Sequence, residues 1–153
     1  MGREIERKFL VKDDRWRQMA GPGVSYRQGY LCLDNQRNVR VRMGGGKAVI
    51  TVKGKAEGNA RDEFEYPIPA ADARQILSRI AVRPIIEKTR YEIQAGGLKW
   101  QVDEFGGENQ GLVIAEVETG KSSVISKPDW VGEEVTGDAR YYNANLVKQP
   151  VGN

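Results

Sequence analysis

Asn38-Val39-Arg40-Val41-Arg42-Met43-Gly44-Gly45-Gly46, followed after Lys47 by the run Ala48 to Lys53, reads as a β-hairpin. Arg40 and Arg42 alternate with Val39, Val41 and Met43. A period of two belongs to a strand with unlike faces, and the glycines supply the turn that sends the chain back. The same period recurs on both sides of this hairpin. Glu4–Val11 and Val24–Leu33 read as strands upstream; Arg61–Ile68, Pro84–Ile93, Leu98–Phe105 and Leu112–Thr119 read as strands downstream. Ala71–Ile80 carries Ala73, Ile76, Leu77 and Ile80 at helical spacing and is the best helix of the chain. Lys12–Met19 is a polar segment of one or two helical turns, and Gly120–Gly137 is mostly turns around Pro128 and Trp130. Asp138 is placed to cap a short helix over Ala139–Lys148, which Pro150 ends.

Most links between these strands are short, which favours antiparallel neighbours. The expected fold is therefore mainly β with some helix (α+β): an eight-stranded antiparallel closed barrel, with a few peripheral helices and a C-terminal helix. The 153 residues make one domain, residues 1–153.

Composition narrows the chemistry. Lys+Arg is 24 and Asp+Glu is 21, a net charge of +3, so a basic nucleic-acid arm is not indicated. Histidine is absent, which removes Ser-His-Asp and Cys-His catalysis and His-based zinc sites. Cys32 is the one cysteine, so there is no internal disulfide and no Cys-rich metal site. An enzyme built from this chain works with carboxylates, Lys, Arg, Tyr and hard metal ions. No apolar run is long enough to span a membrane and the start of the chain is charged, so a cytoplasmic protein is expected.

The strand charges come as same-sign pairs two residues apart: Glu4/Glu6, Arg40/Arg42, Glu63/Glu65, Lys88/Arg90 and Glu116/Glu118. Pairs so spaced share a face and repel. One arrangement turns this charged face to solvent around an apolar interior, as half-polar strands commonly do. The other turns it inward, where carboxylates would hold divalent cations and Arg and Lys a polyanion. In that case the large residues Phe64, Tyr66 and Tyr91 pack outward beneath the helices. Alternation alone leaves both arrangements standing.

The ordered residues also resemble a known family. Glu4-Ile5-Glu6-Arg7-Lys8-Phe9-Leu10 is similar to the N-terminal ExExK signature of the CYTH family, the triphosphate tunnel metalloenzymes. The resemblance continues through Arg27-Gln28-Gly29-Tyr30-Leu31, Arg40-x-Arg42, Lys53, Arg61-x-Glu63-x-Glu65, Glu87 to Tyr91, Asp103, Glu116-x-Glu118 and the Glu134–Tyr141 segment. It implies an antiparallel tunnel whose lumen binds a triphosphate with Mg²⁺ or Mn²⁺. By matched position Lys8, Arg40, Arg42, Lys53, Lys88 and Arg90 would bind triphosphate, with Arg27 and Lys55 as additions. Glu4, Glu6, Lys8, Glu63, Glu65 and Lys88 would form the catalytic set, and Glu4, Glu6, Asp103, Glu116 and Glu118 the metal ligands. Tyr30, Tyr141 and Tyr142 would cap one tunnel end. The implied activity is hydrolysis of inorganic triphosphate to pyrophosphate and phosphate, as in the compact bacterial tripolyphosphatases. The alternatives are a class IV-type adenylyl cyclase, a thiamine or nucleoside triphosphatase, or a non-catalytic polyphosphate-binding module. A small-molecule substrate, no nucleic acid, no membrane and a homodimer complete the expectation.

Overall fold

The structure, a computed structural model, describes residues 5–34, 36–55, 62–119, 124–141 and 145–146. Its strands are β1 (Ile5–Val11), β2 (Val24–Leu33), β3 (Arg37–Gly44), β4 (Lys47–Gly54), β5 (Glu63–Pro67), β6 (Ile86–Ala95), β7 (Leu98–Phe105), β8 (Val113–Thr119) and β9 (Val131–Glu134). They form a nine-stranded sheet in the order β5-β4-β3-β2-β6-β7-β8-β1-β9, and the pairings are antiparallel. The expected strands are all present, with ends shifted by a few residues.

The expected mainly β antiparallel fold is present, and it differs from the expectation in detail. The sheet has nine strands rather than eight, and hydrogen bonds among the described residues do not join β5 to β9, so the barrel-like sheet is not a closed ring. The ninth strand lies in the segment read as turns. It is clamped to β1 by Arg7, whose Nη2 lies 2.6 Å from Glu134 Oε1, and by the Val135 N–H donating to the Lys8 carbonyl. Of the expected C-terminal helix, the described residues show a 3₁₀ turn at Ala139–Tyr141 and helical backbone at Asn145 and Leu146; the rest of its expected range lies outside them. Asp138 does cap that turn, accepting from the Arg140 N–H at 3.1 Å. No helix among the described residues is long and apolar enough to cross a membrane.

Helix α1 (Ala70–Arg79) follows Pro69, carries Asp72 in its first turn and Arg79 in its last, and so suits its own dipole. Ala73 and Leu77, four apart, are buried in a cluster with Val41, Ala48 and Ala81, against which Met43 and Ile50 pack. The helix thus covers the outer face of β3 and β4. A 3₁₀ segment (Asp14–Met19) and the β9 region cover the other half, where Trp16, Phe9, Trp100, Val102, Val117 and Trp130 are buried together. Trp16 packs on Tyr91 with ring centroids 5.1 Å apart. Tyr91 therefore packs outward as expected, whereas Phe64 and Tyr66 stay exposed: they sit on edge strand β5, beyond the strands that α1 covers.

A third cluster closes one end of the opposite face. Tyr30, Ile86, Phe105, Leu112, Ile114 and Leu146 are buried there, with Leu10, Leu33 and Tyr141 against them. Tyr30 and Tyr141 accordingly lie in one apolar plug; Tyr142 lies outside the described residues.

Candidate active site

Strand register carries the expected charged residues onto one continuous face. Lys53 opposes Glu63, Thr51 opposes Glu65 and Arg40 opposes Thr51 across the β3-β4-β5 pairings. Arg42 opposes Gln28 and Arg40 opposes Tyr30 between β3 and β2, and Tyr26 opposes Lys88 between β2 and β6. Arg90 opposes Asp103, Gln101 opposes Glu116, Lys8 opposes Glu116 and Glu6 opposes Glu118 through β6, β7, β8 and β1. Because each opposed pair shares a face, the polar face reads across the sheet as acidic β5, basic β4 and β3, neutral β2, basic β6, mixed β7, acidic β8, then Glu6 and Lys8 on β1. Glu4 and Arg61 lie outside the described residues. Arg27 faces the other way, with Nε 3.7 Å from Glu87 Oε1, and Lys55 is exposed past the end of β4.

The most buried part of this face is ionic. Both oxygens of Asp103 accept from Arg90, Oδ1 from Nε at 2.7 Å and Oδ2 from Nη2 at 2.8 Å, and Lys88 Nζ lies 3.1 Å from Oδ2. Asp103 is 1% exposed and Lys88 8% exposed, so this is charge held in a poorly solvated place. Burial pushes the Asp103 carboxyl up, but the hydrogen bonds from Arg90 and the Lys88 charge overcome it and hold the group below the usual aspartate range. Burial pulls the Lys88 ammonium down despite Asp103 beside it. The Arg90 guanidinium is held still more firmly charged by its hydrogen bonds to Asp103.

Glu116 is the next member. Lys8 Nζ and Arg90 Nη2 each lie 3.8 Å from one of its oxygens, too long to satisfy it fully. Burial first, then the charges of Glu6 and Asp103, push its carboxyl above the usual glutamate range. Glu6, Glu116 and Glu118 line a hollow of about 310 Å³ together with Lys99 and Gln101. A second hollow of about 560 Å³ continues past Arg90 along Tyr26, Glu92, Gln94 and Gln101. At the opposite side of the sheet the Thr51 hydroxyl donates to Glu65 Oε2 at 2.9 Å, while Glu63 and Glu65 remain exposed on β5.

Tyr26 is a site residue that charge patterning misses. Its ring lies between two cationic strands, 5.7 Å from the Arg42 guanidinium carbon and 6.0 Å from that of Arg90. It reaches that place because Gly44 has no side chain: a Cβ there would fall 2.2 Å from the ring. Gly44→Ala is therefore expected to displace Tyr26 and destabilise the fold by about 1–3 kcal/mol, read as a lower urea midpoint. An unchanged midpoint would show that the ring is not wedged against β3.

Comparison with known proteins places this geometry. The CYTH domain pattern matches residues 2–148. The chain belongs to the CYTH domain family. It is 52% identical over 154 residues to an inorganic triphosphatase of Acetivibrio thermocellus, covering 100% of this chain and 98% of that one. It is 34% identical over 149 residues to an inorganic triphosphatase of Nitrosomonas europaea, covering 94% and 96%. The crystal structure of an inorganic triphosphatase superposes with a TM-score of 0.77 at 33% identity, covering 96% of this chain and 95% of the other. This CYTH chain thus shares its overall fold with a solved inorganic triphosphatase.

Proposed function

We propose that this CYTH chain is an inorganic triphosphatase that hydrolyses tripolyphosphate to pyrophosphate and phosphate with the help of a divalent cation. The observation that carries this reading is the order of charge across one face: two basic strand groups flank β2, and acidic strands lie beyond them on either side. A linear polyanion would lie over the centre of such a face, with carboxylates on either side able to hold a cation between themselves and its oxygens. Arg40, Arg42 and Lys53 on one wall and Lys8, Lys88 and Arg90 on the other would hold the phosphates, Arg by its paired donors and Lys as a point charge.

The donor set fits a hard cation such as Mg²⁺ or Mn²⁺, since it offers oxygen alone. No three carboxylates among the described residues already surround one point, which suits a cation held by one or two carboxylates plus phosphate oxygens and water. Two of the carboxylates Glu4, Glu6 and Glu118 would hold it; when bound, it neutralises phosphate charge. Asp103, expected among the metal ligands, has both oxygens engaged by Arg90 and would instead orient Lys88 and Arg90. A water attacks a terminal phosphorus, the P–O bond to the bridging oxygen breaks, and pyrophosphate leaves with that electron pair. With no histidine in the chain, a lumen carboxylate takes the proton of the water, and Glu116, the more basic for its burial, is suited to it. Glu63 and Glu65 guard the opposite wall, where they orient water or a second cation.

Phosphate release from tripolyphosphate, thiamine triphosphate and ATP, each with Mg²⁺ or Mn²⁺, tests the assignment. Turnover of tripolyphosphate above the others is expected. Cyclic AMP from ATP with no tripolyphosphate turnover would reject it in favour of a cyclase, and tight binding without turnover would favour a binding module. Arg42→Ala is expected to raise KM for tripolyphosphate about tenfold or more, the loss of a charge-assisted pair. Glu6→Gln should instead lower kcat and alter the metal concentration needed for half-maximal rate.

A further inference from the structure

We infer that Gln28 binds the triphosphate directly, as a neutral donor on the floor of the site. β2 is the one neutral strand between the two basic walls, and its side chains on the polar face include Val24, Tyr26, Gln28 and Tyr30. Tyr26 is braced between Arg42 and Arg90, and Tyr30 belongs to the apolar plug. Gln28 lies between them, opposite Arg42 on one side and Ile86 on the other. It is 1% exposed, and its Nε2 has no hydrogen-bond partner among the described residues. Arg40, next along the same wall, likewise leaves its Nε without a partner there.

A buried carboxamide donor without an acceptor is costly, and an apolar side chain of the same shape would be the better choice for folding alone. All the charged side chains closest to it in the register are cations, which carry no acceptor. What the donor lacks is an acceptor seated between the walls, and a phosphate oxygen over β2 would supply one without displacing the cations on either side. An amide suits this place better than another cation, because it adds donors without adding repulsion to Arg40, Arg42 and Lys88. The inference rests on the triphosphatase reading, since it needs a phosphate chain lying across β2.

The test pairs Gln28→Met, which keeps length and removes the donor, with Gln28→Glu, which keeps shape and reverses the interaction. For Gln28→Met the ligand-free Tm is expected to stay level or rise. Its KM for tripolyphosphate should rise about tenfold with kcat nearly kept, since a hydrogen bond made equally in ground and transition states is lost. Tripolyphosphate in EDTA should raise the Tm of the wild-type protein and raise that of Gln28→Met less. Gln28→Glu should lose this shift altogether. In the wild-type protein labelled with ¹⁵N, the Gln28 side-chain amide signals should move on titration with tripolyphosphate, a readout independent of how either variant folds. Unmoved signals, or a Gln28→Met variant with wild-type KM and thermal shift, would overturn the role of Gln28 while leaving the triphosphatase reading intact. Absence of any tripolyphosphate effect on the wild-type protein would overturn both.

Discussion

Asp103→Ala is expected to lower folding stability by about 3–5 kcal/mol, because it strands the buried charges of Lys88 and Arg90. In the folded chain Asp103 takes Arg90 on both oxygens and Lys88 on one, and is itself 1% exposed. Removing it leaves Lys88 beside the like charge of Arg90, with Glu116 as a weaker counter-charge. A urea titration at neutral pH reads the loss as a lower midpoint. Adding Lys88→Met to Asp103→Ala should recover part of it, since one stranded charge goes while Arg90 stays. A single variant with the wild-type midpoint would show that water reaches this triad freely. The pH dependence has a defined sign. The folded Asp103 carboxyl lies below its ordinary 3.8, so its contribution is complete above that value and is lost as pH falls through the lower folded value. In Asp103→Ala this share of the acid sensitivity should disappear.

The same triad shows which features of the site the sequence could display. Alternation assigns Arg40, Arg42, Lys88, Arg90, Glu116 and Glu118 to one face without knowledge of their neighbours, because strand parity is local. The partners are not local. Lys88 and Arg90 meet Asp103 through a hairpin that the Gly96-Gly97 turn makes legible, but Tyr26 meets Lys88 only because β2 pairs with β6, across three intervening strands and a helix in the chain. That crossing also brings Arg42 and Arg90 to the two sides of one ring. Gln28 is silent in a reading based on charge: what marks it is a buried Nε2 without a hydrogen-bond partner among the described residues, which only packing reveals. The edges of the sheet are the least legible part. Val131–Glu134 is four residues long, holds a glycine, follows Pro128, and has no alternation to mark it as a strand. It pairs because Arg7 and the β1 backbone offer it partners more than a hundred residues away. Phe64 and Tyr66 alternate as a core-facing pair would, yet α1 docks one strand further in and leaves them exposed.

Glu116→Gln is expected to separate stability from activity. Its carboxyl is raised by burial and by the charges of Glu6 and Asp103, so the folded chain holds its proton more tightly than the unfolded chain does. The linkage therefore runs opposite to that of Asp103: the group imposes no cost below the ordinary glutamate value of 4.5, and the cost grows as pH rises to the folded value and stays in full above it. A neutral carboxamide removes the cost, and the long 3.8 Å contacts to Lys8 and Arg90 are weak compensation for the ion. At pH 7 the ligand-free variant should melt at a higher temperature than the wild-type protein, and the difference should shrink as pH is lowered through the raised value. Its tripolyphosphate turnover should fall about 10²-fold or more, the scale of a lost proton acceptor. Functional sites keep such like-charged groups because the ligand relieves them: a cation shared by Glu6 and Glu118, which oppose each other across β1 and β8, and a phosphate chain shared by Lys88 and Arg90 would turn repulsion into binding. A variant that is both less stable and fully active would place Glu116 among the structural ion pairs of the sheet and move proton transfer to another carboxylate of the same wall.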